Sequence, residues 1–386
     1  MAEPLALIAA WARSAVAPHS GAFRDLAAHD IGAPVLCALL ERAGVAPEAV
    51  DAVVLGNALG AGGNPARMLA LAAGLPDHCA ALSVDTQCCA GLDAVALAVG
   101  LLASGQAEVV VAGGAEAWTR APIRQHRPRA ANEAPRPYER PAFAPDPARD
   151  PDLLQAAADY AAAHRVSRSE QDTYALASHA QAVAHREAFA GEMVRVAGLA
   201  HDAYPRAMGA AMAARLPVQA RGTPASDIDS GLSTLAISPR ADGAALVLLM
   251  TPQAAARFRV AAKAEWLASA SVGDNPAMPL LAAESAAREA LQRSAIATAT
   301  AVDVVELHDA FAVQGLAFCQ GLGLPTDRMN RRGGGIARGH PIGASGAVAL
   351  VRVLADLQQR GHTGATGMAA VAGAGGIGAA AVVRWR

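Results

Sequence analysis

Short apolar runs recur along the chain and alternate with longer stretches of helical period. VDAVVLGN, AEVVVAGG, AALVLL, VDVVELHDA and AAAVVRW read as strands, while IGAPVLCALLERAG, GLDAVALAVGLLASG and EQDTYALASHAQAVAHREA read as helices. Strands of near-continuous apolar character separated by helices predict an α/β fold with sheets buried on both faces. Residues 120–151 break the pattern: RAPIRQHRPRAANEAPRPYERPAFAPDPARDP is rich in Pro and Arg, lacks a period and reads as a loop or arm. Residues 152–250 carry two helices, an irregular stretch and a strand, so 118–240 reads as an insertion lying over the first half.

The pattern also repeats. VDAVVLGNAL begins at Val50 and VDVVELHDAF at Val302, and the helical AVAL at Ala94 returns at Ala347. The similar spacing of the two matches predicts an internal duplication, with two halves packed about a pseudo-two-fold axis. At that spacing Cys88 falls opposite the His340-Pro341 pair. Each half then presents a chemically interesting residue where a strand runs into a helix, the place where α/β proteins bind ligands.

Composition narrows the class. The 386 residues suffice for two or three domains, and Ala and Gly account for much of the 53% apolar content. No uninterrupted run reaches the roughly 18 apolar residues of a spanning helix. The opening MAEPLALIAAWARSA has no basic residue before its apolar stretch, so a cytoplasmic protein is expected, without membrane association. A net charge of −2 offers no field for nucleic acid, and Lys263 is the sole lysine. Five cysteines at irregular spacing form neither a disulfide framework nor a zinc pattern, and the 11 histidines show no metal-ligand spacing, so no metal is expected.

Chemistry concentrates in SVDTQCCAGLDAVALAVGLLASG. Two adjacent cysteines alone are ordinary core residues, and Cys89 is read that way. Cys88, however, sits at the mouth of a long apolar helix. Unpaired N–H groups and the positive end of the helix dipole there favour thiolate, which predicts a lowered thiol pKa. The same N–H groups can hold an oxyanion once the thiol attacks a carbonyl. In GGGIARGHPIGASGAVAL, His340 stands between a glycine-rich loop and another helix start, placed to take a thiol proton. A phosphate-cradling loop is the competing reading there, but no GK[ST] follows. His308 in VDVVELHDAFAVQG follows a buried strand and can donate to a thioester carbonyl, directly or through water, while Glu306 and Asp309 are expected to orient rather than react.

These residues resemble a known family. QCCAGLDA resembles the nucleophile motif of the thiolases, the acetyl-CoA acyltransferase and acetyltransferase branch of the thiolase superfamily. GGAEAWTRAP, SRSEQDTYALASHAQA, HDAYPR, SPRADGAALVLL, ELHDAFAVQ and GGGIARGHPIGASGA are similar to later thiolase blocks, in order, over nearly the whole chain. The resemblance implies an α/β fold of two similar βαβαβαββ halves in a five-layered α-β-α-β-α arrangement. The halves would span 1–250, with the cover insertion at about 118–240, and 257–386. It implies no permanently bound cofactor, coenzyme A thioesters as substrates, and a homodimer, with a homotetramer as the larger alternative. It assigns Cys88 as the acyl carrier, His340 as its activator and His308 to the oxyanion site. It places Ser238 beside the pantetheine arm and Arg206 near the adenosine phosphate.

The sequence departs from the family pattern where thiolases usually carry a second cysteine. AAVAGAGGIG puts Ala372 there, and Ala310 occupies an alternative position for such a thiol. Alanine moves no proton. Besides thiolase-type acyl transfer through acyl-Cys88, two further readings therefore stand: a decarboxylating ketoacyl-synthase-like condensing enzyme, and a thiolase-like CoA-binding or assembly subunit without turnover.

Overall fold

The computed structural model describes residues 4–60 and 62–386. Of the N-terminal stretch read against a signal sequence, residues 1–3 lie outside the described residues. Its apolar part forms strand β1 (Leu7–Ser14), buried at every position in the middle of the molecule.

The first half continues through α1 (Ala28–Ala43), β2 (Ala52–Gly56), α2 (Pro65–Ala72), β3 (Ala80–Val84), α3 (Ala90–Ala103), β4 (Val109–Ala117) and, after the insertion, β5 (Ala241–Met250). Within the insertion lie α4 (Leu153–Ala163) and α5 (Arg168–Ala184). The second half comprises β6 (Ala264–Gly273), α6 (Ala282–Arg293), β7 (Val304–His308), α7 (Ala312–Leu322), α8 (Ser345–Arg360), β8 (Thr366–Gly373) and β9 (Ile377–Trp385).

Strand order runs β7-β8-β9-β6-β1-β5-β4-β2-β3. Read outward from the β1–β6 junction, one half gives β1-β5-β4-β2-β3 and the other β6-β9-β8-β7. The junction is short, pairing Leu7 with Glu265 and Ile8 with Ala264. The counterpart of β3 is reduced to a single bridge between Val305 and Met329. β2 and β7 begin at positions 52 and 304, so the internal repeat read from the sequence is a repeat of structure.

Side chains alternate across strands that are buried on both faces. In β9, Ala379, Ala381 and Val383 point into a central core, whereas Ala380 and Val382 point into an outer one. The central core is filled by α3 and α8, packed between the two sheets. One outer core lies under α1 and α2, the other under α6 and α7. The result is five layers, α-β-α-β-α, with the two central helices starting at the same level.

The insertion spans both halves rather than lying over the first alone. Tyr174 on α5 donates a 2.6 Å hydrogen bond to Asp309 of the second half, and Ser178 accepts from the Gly334 N–H at 2.9 Å. A capping box at Ser167 and Glu170 starts α5 firmly. Among the described residues, no helix is long and apolar enough to cross a membrane.

Candidate active site

Cys88 is delivered by a sharp elbow between β3 and α3. Gln87 adopts a left-handed backbone with φ 53°, which costs about 1–2 kcal/mol for a residue with a Cβ. Asp85 offsets that cost by accepting from both the backbone and side-chain amides of Gln87, at 3.0 and 2.9 Å. The turn leaves Cys88 facing a cleft and sends Cys89 into the core, where its sulfur meets the Val371 carbonyl.

His340 is presented by the matching turn before α8. Its backbone N–H donates to the Pro239 carbonyl at 2.7 Å. The turn can dock on α3 because glycines meet glycines. A Cβ on Gly56, Gly91 or Gly114 would stand 2.6, 2.7 or 2.2 Å from the Gly343 carbonyl oxygen. Glu116, at the end of β4, clamps the same turn: one carboxylate oxygen accepts from the N–H groups of Gly343 and Ala58, at 3.0 and 2.9 Å. Burial raises the Glu116 pKa to about 7, against the opposing pull of those N–H donors.

This docking brings two residues 252 positions apart into contact: Cys88 Sγ lies 3.1 Å from His340 Nε2. The other ring nitrogen fixes the tautomer. Ser345 Oγ donates to the Pro341 carbonyl at 3.0 Å, so its lone pairs are free to accept from His340 Nδ1 at 2.7 Å. With the ring proton held on Nδ1, Nε2 turns a lone pair toward the thiol.

The electrostatics differ from the expectation of a lowered thiol pKa. Burial raises the Cys88 pKa from 9.0 to about 12, and the N–H groups of Ala374 and Cys88 itself offset only part of that rise. Burial likewise lowers His340 from 6.5 to about 4. Both shifts favour a thiol beside a neutral imidazole over an ion pair. The dipole at the start of α3 favours thiolate, but the cost of removing a thiolate from water outweighs it.

His308, at the end of β7, stacks on His340 with ring centroids 4.3 Å apart and 25° between planes. It is buried, its Nε2 has no hydrogen-bond partner, and burial followed by the neighbouring His340 drives its pKa well down. Asp309 orients this corner by accepting from Tyr174 and the Ile336 N–H, and Glu306 pairs with Arg338 at 2.9 Å.

Two chambers meet at His340. The inner one, ≈ 110 Å³, is lined by Cys88, Ser238, Ala310, Phe311, Ala372 and Ala374, among others. The outer one, ≈ 370 Å³, shares Ser238, Phe311 and His340 and is walled largely by residues between 118 and 154. Ser238 donates to the Gly335 carbonyl at 2.6 Å. Arg206 lines neither chamber; its guanidinium lies 4.4 Å from the Tyr204 ring centroid. Among the described residues, no group of three or more His, Cys, Asp or Glu is placed to hold a metal ion.

Sequence reasoning missed Ser345 and Glu116. Ser345 was visible as the hydroxyl five residues after His340 at the first turn of α8, and Glu116 as the one acid in a buried strand.

Fold and site together define a two-half α/β protein in which a thiol from one half meets an imidazole from the matching turn of the other. The chain belongs to the thiolase family: residues 6–253 match the thiolase N-terminal domain and residues 260–385 the thiolase C-terminal domain. It is 36% identical to an acetyl-CoA acetyltransferase of Rhizobium meliloti over 99% of both chains. The crystal structure of the Bacillus anthracis acetyl-CoA acetyltransferase superposes with a TM-score of 0.90 over 100% of both chains, at 29% identity. Human mitochondrial 3-ketoacyl-CoA thiolase in complex with CoA gives 0.88 over 100% of both chains, at 25% identity. The protein is accordingly an acyltransferase of the thiolase type.

Proposed function

We propose that this enzyme forms or cleaves a 3-oxoacyl-CoA by ping-pong chemistry through a thioester on Cys88. The observation that carries the reading is the 3.1 Å contact between Cys88 Sγ and a His340 Nε2 freed to accept a proton. Attack of the sulfur on the thioester or 3-oxo carbonyl passes the thiol proton to Nε2, so thiolate forms only as the carbon–sulfur bond does. The N–H groups of Cys88 and Ala374 face the sulfur and can receive the developing oxyanion. His308 is assigned to steady a thioester carbonyl through its unpartnered Nε2, and Ser238 and Arg206 to the coenzyme's pantetheine arm and phosphate.

His340 can balance the protons in both half-reactions. In thiolysis it gives the proton taken from Cys88 to the departing enolate carbon. It then takes a proton from the incoming CoA thiol and returns it to the Cys88 sulfur as the acyl group leaves. Incubation with acetyl-CoA or a 3-oxoacyl-CoA is expected to add an acyl mass to the intact protein, and Cys88→Ala is expected to abolish it. Unmodified wild-type protein across several chain lengths would overturn the reading.

A second reading has its own observation. Among the described residues, Cys88 and His340 are the only ionisable side chains lining the inner chamber, with Ala310 and Ala372 on its walls. A decarboxylating extender needs no base to make its carbanion. Release of CO₂ from malonyl-CoA after acylation supports that course, and brisk thiolysis without CO₂ removes it. The family assignment as an enzyme leaves the assembly-only reading without support.

We further propose a homodimer acting in the cytoplasm. β3 is an edge strand with largely exposed side chains, and Met68, Leu71, Leu82 and Leu97 are exposed large apolar residues on it and the neighbouring helices. All five cysteines are free, as a reducing compartment would keep them. Light scattering on the eluting protein distinguishes dimer from tetramer, and a monomer at micromolar concentration would overturn the assignment.

A further inference from the structure

The outer chamber shares Ser238, Phe311 and His340 with the inner one, but most of its wall has no assigned occupant. It opens onto His340, and at roughly 30 Å³ per water-sized group its ≈ 370 Å³ has room for about a dozen. An acetyl group has three heavy atoms and would leave most of that space to water. Its walls are also unusual for this chain. The whole sequence has four Trp, four Tyr and six Phe, yet Trp118, Tyr138, Phe143 and Phe311 all line this one chamber. In a protein built from alanine, glycine and small aliphatics, such a concentration of rings is not a packing default.

Trp118 is the best placed of the four. Its ring lies 6.4 Å from the His340 ring, edge-on at 62°, and the Arg240 guanidinium lies 5.0 Å from its centroid. Arg240 precedes β5, and its backbone bridges to His340. The indole is therefore braced against the catalytic corner. Tyr138 and Phe143 come from the Pro-rich arm. The Phe143 ring is covered by the Arg140 guanidinium, 4.9 Å from its centroid, and the Phe143 backbone lies close to Gly375 of the second half. Arg140 is in turn tied to Asp150. A wall of braced rings offers edge-to-face and offset contacts that favour another ring over a flexible chain, whose ordering costs more entropy per contact.

We infer that the acyl group carried on Cys88 is bulky and ring-bearing, aryl- or cycloalkyl-terminated, and that Trp118 with the arm at 120–151 selects it. The inference rests on the acyl-Cys88 reading. The same chemistry then applies to a 3-oxoacyl-CoA whose distal carbons end in a ring.

The test measures the rate of Cys88 acylation by intact mass for acetyl-, hexanoyl-, decanoyl-, 3-cyclohexylpropanoyl- and 3-phenylpropanoyl-CoA. The ring-bearing thioesters are expected to acylate at least tenfold faster than acetyl- or decanoyl-CoA. In Trp118→Ala, and independently in Phe143→Ala on the arm, the ratio of ring-bearing to acetyl rates is expected to fall at least fivefold. Acetyl-CoA or decanoyl-CoA reacting fastest would overturn the inference and leave the acyl-enzyme intact. So would an equal loss for every thioester in both variants, because the chamber would then hold the coenzyme arm that all of them share. Absence of acylation by every thioester would remove the acyl-Cys88 reading itself, and this inference with it.

Discussion

At the scale of single residues, the proposed chemistry keeps the thiol proton on Cys88 until substrate arrives. Cys88, pushed up to about 12, holds about a thousandfold less thiolate at pH 7 than a thiol at 9.0 would. Iodoacetamide, which needs preformed thiolate, is expected to alkylate Cys88 slowly at pH 7 and to accelerate steadily up to pH 10 and beyond. His340 has its folded pKa lowered to about 4, so the imidazole is neutral and able to accept above that value and loses this capacity as pH falls through it. Acylation by thioester is therefore expected to rise through about pH 4 and stay level across neutrality. An inflection near 6.5 in the stopped-flow profile, or rapid alkylation at pH 7, would mean an ion pair at rest. Ser345 is a positioning residue in this scheme. Ser345→Ala frees the ring to carry its proton on Nε2, facing the thiol. Acylation is expected to drop about 10- to 100-fold, with Ser345→Thr restoring most of it. An unchanged rate at unchanged thermal stability would show that the tautomer is set elsewhere.

At the scale of elements, the site exists because two turns interlock without side chains between them. Gly114 lies in β4, where an added Cβ would stand 2.2 Å from the Gly343 carbonyl oxygen and 2.6 Å from the Ala344 Cα. Both are backbone atoms, so no rotamer change relieves the clash. Gly114→Ala is expected to cost about 1–3 kcal/mol of stability or more and to move His340 away from Cys88. Acylation should then fall at least 100-fold in protein that remains folded at the assay temperature. Full activity in such protein would contradict the interlock. Much of this level was legible in the sequence. The repeated VDAVVLGN and VDVVELHD blocks mark strands at equivalent places in the two halves, and the glycine-rich histidine block announces a turn that approaches backbone closely. What stayed hidden depends on burial. A dipole at the start of α3 can be read from QCCAGLDA, but the desolvation that reverses its effect needs the second half packed over it. The arm at 120–151 is dominated by Pro and Arg in sequence, and its rings become a wall only once β4 and α4 place its two ends along the chamber that opens onto His340.

At the scale of the whole molecule, the halves and the insertion are joined by a buried charge network. Glu192, from the insertion, accepts from Arg13 on β1 at 2.5 Å with one carboxylate oxygen and from Arg352 on α8 with the other. Arg13 is also paired with Asp202, and Arg352 with Asp356. The Phe189 ring lies near both guanidinia, 5.7 Å from that of Arg13 and 4.4 Å from that of Arg352. Burial alone would lower the Arg13 pKa, but Asp202 and Glu192 together outweigh it and hold the group above its ordinary value. Such a network is a weak source of net stability, since hydrophobic groups of equal volume often serve as well. Its effect is to make the three parts depend on one carboxylate. Glu192→Gln keeps the shape, removes the charge and leaves two buried guanidinia undercompensated. The expected cost is about 3–5 kcal/mol, read as a lowered thermal midpoint. Hydrogen exchange should quicken in β1 and α8 together, because each loses the same counter-charge. Exchange that rises only around residues 186–196 would show that Glu192 tethers a loop, and that the halves hold each other through the interleaved helices α3 and α8 instead.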